Sequence, residues 1–243
     1  MQQHVYQEMI QSQKTHWWYV GRRKILDKIL SKLEIRGASL LEIGGGMGGN
    51  IDLLKAYGEV TVLDNNTIAI SYLHEAFNVK VVKANFPEKS ELYIPQFGCI
   101  LMLDVLEHIE DDNLALTQLA KSMQKHAKLV ITVPAYQFLC SHHDEVMHHY
   151  RRYSMSNITA LAESNGFTIK YKSYFNTLLF PIALITRTIS KLFDSIHRIE
   201  QNSEAGVINS MLTKLFSLES ALLPRFSFPF GLSIVLVLEP KDD

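Results

Sequence analysis

LLEIGGGMGGN, residues 40–50, places five glycines in six consecutive positions directly after a short apolar run. Gly44, Gly46 and Gly49 spell the dinucleotide fingerprint G-x-G-x-x-G, while Glu42, Gly44, Gly46 and Gly48 spell E-x-G-x-G-x-G. Glycines after a first strand let a ligand approach the backbone, because no Cβ stands in the way. Asp64 lies 20 residues beyond Gly44 at the end of the next apolar run, where a carboxylate can accept hydrogen bonds from a ribose diol. NAD and S-adenosylmethionine (SAM) both carry such a ribose, so Asp64 does not separate them. Glu42 does. A dinucleotide sets its anionic pyrophosphate at the helix N-terminus, where a carboxylate would repel it. SAM carries an ammonium and a sulfonium, and both are favoured by an acidic neighbour.

Working outward, short apolar runs alternate with helical stretches from residue 38 onward. ASLLEI (38–43), VTVLD (60–64), VKVVKA (79–84), GCILMLD (98–104) and KLVITVP (128–134) read as buried strands of a parallel sheet. Helices are expected around 48–57, 67–76 and 111–125, the last capped by Asp111 or Asp112. A further helix follows Ser154 and stops at Gly166. FTIKYKSYF (167–175) and FGLSIVLVLEP (230–240) supply a sixth and a seventh strand. This pattern predicts an α/β fold: a doubly wound, mostly parallel seven-stranded sheet with a helical insert before the last strand. Ahead of the sheet, GRRKILDKILSKLEI reads as an amphipathic helix introduced by Trp17, Trp18 and Tyr19. The expected divisions are a helical lid over 1–36, a cofactor-binding core over 37–175, an insert over 176–229, and a final core strand over 230–243.

The chain has 243 residues, 47% of them hydrophobic, and a net charge of −1, which gives no steering toward nucleic acid. Its most apolar run, LLFPIALI, is far short of the roughly 20 residues a membrane span needs. The first twenty residues carry no signal-peptide pattern, and Cys99 and Cys140 make no disulfide scaffold. A cytoplasmic protein is the expectation.

LLEIGGGMGG, VTVLD and ILMLDVLEHIEDD together resemble the class I SAM-dependent methyltransferases, over roughly residues 15–240. The resemblance implies a Rossmann-like methyltransferase fold, with Glu42, Gly44, Gly46 and Gly48 lining the methionine half of SAM. Asp64, with Asn65 beside it, would hold the ribose. Asn85, with Phe86, stands near the adenine amine where the family usually has Asp, and an Asn oxygen can still accept from that amine. Asp104 ends the fourth strand and faces the ligand edge, with a helix cap as the alternative, and the family places His108 beside the cofactor, with a packed histidine as the alternative. HWWYVGRR resembles the lid of a bacterial subgroup, in which Arg22 or Arg23 could pair with the SAM carboxylate. Aromatics covering a core, with solvated arginines, account for the same residues.

CSHHDEVMHHYRRYS, residues 140–154, gathers four of the ten histidines beyond the fifth strand. The spacing of His143, Asp144, His148 and His149 matches no zinc signature, and no metal is expected. The segment resembles an H-D-x-x-x-G-H-x-R-R-Y pattern of the same subgroup, with His148 where Gly is common. On that matching, His143, Asp144 and His149 are the candidate catalytic set, a histidine taking the acceptor's proton and the aspartate fixing its tautomer. Arg151, Arg152 and Tyr153 are candidate substrate-binding residues. An ion-pair network pinning the loop is the competing account.

The insert reads as a helical cap, an apolar wall for a lipid-tailed acceptor, a helix resting on a membrane surface, or a homodimer interface. The expected function is SAM-dependent methyl transfer to a small-molecule, saccharide or lipid-linked acceptor, at oxygen. An NAD-dependent oxidoreductase and a catalytically silent methyltransferase-like binding domain are the rivals.

Overall fold

The computed structural model describes residues 10–88, 94–185 and 206–241, apart from the side chains of His142 and His143. The described chain falls into two compact units. One combines the residues up to Lys32 with those from Tyr174 to Leu232, and the other runs from Leu33 to Ser173 and resumes at Ser233.

A seven-stranded sheet in the order β3-β2-β1-β4-β5-β7-β6 matches the expected architecture. Its strands are β1 (Ala38–Ile43), β2 (Gly58–Asp64), β3 (Lys80–Lys83), β4 (Cys99–Leu103), β5 (Lys128–Pro134), β6 (Phe167–Phe175) and β7 (Ser233–Pro240). Strands β1 to β5 pair in parallel, and β7 runs antiparallel to β5. The middle strand β4, CILML, is buried along its whole length, as a parallel strand covered on both faces must be. Each of its large aliphatic side chains contributes about 1.5–3 kcal/mol by leaving water. Chain order reverses between β1 and β4, so the crevice outside their carboxyl ends is where such a sheet binds ligands.

The short helices of this unit are α2 (Ile51–Lys55), α3 (Thr67–Phe77), α4 (Asp112–Ser122), α5 (His142–Val146) and α6 (Met155–Ser164). Side chains fix their starts. Asn66 accepts from the Ile68 and Ala69 N–H groups, Asp111 from Leu114 and Ser154 from Asn157. Helix α2 is shorter than the expected 48–57, because the glycine turn extends through Gly49 and the helix begins only at Ile51.

In the other unit, α1 (Trp17–Leu30) packs on α7 (Val207–Leu222). Helix α1 starts earlier than the expected Gly21, so Trp17, Trp18 and Tyr19 form its first turn. The physical reason is a cap from α7: the Trp17 N–H donates to Asn209 Oδ1 at 2.7 Å, and Asn209 Nδ2 donates to the Thr15 carbonyl at 2.8 Å. A Cβ on Gly21 would fall 2.2 Å from the Phe216 ring, so the two helices meet at a glycine. Glu219, also on α7, is fully buried and accepts from the Leu178 N–H at 2.8 Å. Residues 186–205 of the expected insert lie outside the described residues. No helix among the described residues is long and apolar enough to cross a membrane.

The two thiols sit differently. Cys99 is fully buried on β4, and burial pushes its thiol up to about 12 against a small opposing effect of Lys128. Cys140 is half-buried in the loop after β5. At neutral pH a thiol-labelling reagent should modify Cys140 in the native protein and Cys99 only after denaturation. Equal labelling rates for both would contradict this packing.

Candidate active site

The glycine turn follows β1 at the carboxyl edge of the sheet. Gly44, Gly46 and Gly48 adopt φ of +70°, +51° and +74°, backbone that favours glycine. A Cβ on Gly44 would lie 2.7 Å from Val105, and one on Gly48 2.6 Å from Phe77, whereas one on Gly46 would meet nothing within 4 Å. A side chain on Gly44 or Gly48 would therefore press on a neighbour, whereas one on Gly46 would enter open space. Glu42 is 2% exposed and accepts from Asn50 Nδ2 at 2.7 Å. Asp64 holds the turn from β2, its carboxylate accepting from the Gly46 N–H at 3.0 Å and the Asn66 N–H at 2.8 Å.

Asn65 and Asn85 are exposed beside this turn, with Asn65 Nδ2 donating to Asn85 Oδ1 at 3.2 Å and Asn85 Nδ2 to Glu88 at 3.0 Å. Phe86 is half-buried next to them. Asp104 ends β4 in left-handed backbone, φ +58°, and accepts from the Thr132 hydroxyl of β5 at 3.1 Å. A non-glycine residue held there stores strain, which concentrates at functional sites. His108 follows on a tight turn, Leu106–His108, with its imidazole exposed. Burial of part of the ring and the neighbouring His149 lower its proton affinity, against an opposing pull from Asp104.

The histidine-rich segment folds around one carboxylate. Asp144 is 0% exposed. It accepts from Arg152 Nε at 2.7 Å and Nη2 at 3.0 Å, from the Ser141 N–H at 2.8 Å and hydroxyl at 3.0 Å, and lies 2.9 Å from His149 Nδ1. Burial alone would raise the Asp144 carboxyl. The hydrogen bonds from His149, Arg152 and Ser141 and the guanidinium charge outweigh it and hold the group well below the usual carboxylate range. This contact uses Nδ1 of His149 and leaves Nε2 on the far side of the ring. Its ring meets that of His108 edge-on, centroids 4.6 Å apart.

Two expected substrate-binding groups are instead committed inside the loop. Arg152, 7% exposed, forks onto Asp144, and Tyr153 is buried with its hydroxyl donating to Asp112 at 2.8 Å. Arg151 pairs with Asp112 at 2.7 Å and keeps partial exposure. The side chain of His143 lies outside the described residues. His148 sits at φ +58°, which explains why glycine suits that position in the resembled pattern. Arg22 belongs to the unit of α1, buried, with its guanidinium 4.6 Å from the Trp18 ring centroid. Sequence reasoning missed Asn50, Thr132, Ser141 and Asp112 as partners. An Asn directly after a glycine turn was the only local signal among them.

Residues 17–172 match the model of a family described as a methyltransferase domain. The chain belongs to this methyltransferase family. Solved structures share its fold at low identity. A TehB-like SAM-dependent methyltransferase from Corynebacterium glutamicum is 16% identical, with a TM-score of 0.54 over 91% of this chain and 88% of that one. A SAM-dependent methyltransferase from Archaeoglobus fulgidus is 17% identical, TM-score 0.58, over 89% and 94%. Magnesium protoporphyrin IX methyltransferase from Synechocystis, solved with S-adenosylhomocysteine, is 14% identical, TM-score 0.55, over 92% and 84%. No curated protein matches by sequence.

The expectation of a methyltransferase with SAM as its cofactor agrees with these comparisons. The residues present also fit that cofactor. The side chains converging on the methyltransferase glycine turn, Glu42 and Asp64, are acidic, and Gly46 leaves its face open. That charge suits an ammonium and a sulfonium better than a pyrophosphate.

Proposed function

We propose that this methyltransferase moves a methyl group from SAM to an oxygen of a small-molecule, saccharide or lipid-linked acceptor, with His149 taking the acceptor's proton. When bound, SAM supplies an electrophilic methyl on a sulfonium. The chain's residues do the rest. Glu42 and the glycine turn would receive the methionine half, Asp64 and Asn65 the ribose, and Asn85 and Phe86 the adenine. Asp104 and His108 would border the transferred methyl from the turn after β4.

The observation that carries the base assignment is the Asp144–His149 contact at 2.9 Å. A carboxylate on Nδ1 favours the tautomer in which Nε2 serves as the proton acceptor. Arg152 and Ser141 hold Asp144 still, so the imidazole is aimed before any acceptor arrives. Arg151 is the cation with surface left to meet an acidic acceptor group.

Two measurements test this. Calorimetry should show SAM binding, and binding of NADH without SAM would sink the cofactor assignment. Methyl-labelled SAM incubated with water-soluble and lipid extracts should yield a labelled acceptor, with transfer reduced about 10²- to 10⁴-fold in His149→Ala. Undiminished transfer by that variant would remove the base.

A further inference from the structure

The turn after β4 and the loop after β5 bring together three groups that the sequence spacing did not associate. Glu107, His108 and His149 each offer a ligand atom, all within 4.8 Å of one another. We propose that these residues form a binding site for a divalent transition-metal ion, with Asp144 as the outer carboxylate that orients His149.

Two imidazoles and one carboxylate suit zinc, manganese, iron, cobalt or nickel, and three protein ligands leave coordination positions for water or an acceptor oxygen. Ligand atoms about 2.1 Å from a tetrahedrally held ion lie about 3.4 Å apart, so closing the set draws the widest pair together by up to about 1.4 Å. The backbone already registers the two segments: the Tyr150 N–H donates to the Glu107 carbonyl at 2.9 Å, and the His149 N–H to the Asp144 carbonyl at 2.9 Å. A metal-bound histidine ordinarily gives its other ring nitrogen to a carboxylate, and His149 Nδ1 does so to Asp144. Asp104, whose charge acts on His108, adds to a field that favours a cation.

The set differs from His143, Asp144, His148 and His149, whose spacing gave no expectation of a metal. Asp144 stands behind a ligand, and His148 takes no part in the cluster. An ion here would use the same Nε2 that otherwise takes a proton, and would acidify a bound hydroxyl in its place. The site does not rest on the identity of the acceptor, and its failure would leave the imidazole base standing.

The test uses the full chain stripped of metal with a chelator, then titrated with Zn²⁺ by calorimetry and with Co²⁺ by visible absorption. One ion per chain should bind, with a Co²⁺ spectrum showing nitrogen ligation. His108→Gln and His149→Gln should each weaken binding at least tenfold, and Asp144→Asn about 10- to 100-fold. His126→Gln, on the exposed turn before β5, should change nothing. Circular dichroism and the thermal midpoint of His108→Gln are read alongside, and wild-type values there show that loss of binding is not loss of fold. No binding by the wild-type chain, or binding unchanged in both His108→Gln and His149→Gln, overturns the site.

Discussion

Asp64→Asn is expected to weaken SAM binding by about 30- to 150-fold, the equivalent of 2–3 kcal/mol. The native carboxylate accepts from two backbone donors, Gly46 and Asn66, on opposite sides of the turn. A carboxamide keeps one acceptor and sets its NH₂ against the other N–H, so the turn loses its fixed shape as well as the proposed ribose partner. Calorimetric titration with SAM reads the loss directly. Gly46→Ala provides the contrast: its Cβ meets nothing within 4 Å, but φ of +51° strains any side chain there by about 1 kcal/mol. SAM affinity of Asp64→Asn equal to that of the wild type would show that the turn is held by other means.

Asp144→Ala is expected to destabilise the folded protein by about 3–5 kcal/mol, the range for breaking a buried ion pair from one side. The cost comes chiefly from Arg152, 7% exposed and left without its carboxylate, and from the Ser141 donors. Removing the cation as well, in Asp144→Ala/Arg152→Met, should recover part of the loss. Urea unfolding of the two variants against wild type measures both effects, and a double variant no more stable than the single would contradict the ion-pair origin. The pH dependence has a definite sign. Asp144 is depressed in the fold below its ordinary value of 3.8, so its stabilisation is fully present above that value and is lost as pH falls below it. Asp144→Asn should therefore flatten the acid limb of the stability curve, leaving the neutral-pH loss.

The strands were legible because central parallel strands need unbroken apolar runs and an edge strand alternates, and 38–43 and 167–175 match β1 and β6 residue for residue. Helix boundaries were harder, since they depend on partners elsewhere in the chain. No local pattern reveals that Asn209 starts the helix at Trp17. In the site, Glu42 and Asp64 could be picked out by type and position. The way Asp64 reaches back to Gly46 could not, because it depends on parallel register between β1 and β2. The histidine-rich segment was visible as a cluster, yet its chemistry turns on a contact with His108, 41 residues earlier. That contact follows from β4 and β5 being neighbours and from the Tyr150–Glu107 backbone bond.

The sheet order has a consequence for how the protein is made. Strand β6 leaves the ribosome well before β7, yet β7 lies between β5 and β6. Until Ser233–Pro240 has been synthesised, the apolar edge of β5 has no native neighbour, and its unpaired amides form a template for a foreign strand. The nascent chain thus carries an open seam from the completion of β5 at Pro134 until β7 is made. Chaperone dependence should concentrate in that interval, and a pulse of protease should find the seam exposed on chains stalled before residue 233 and closed on the released chain.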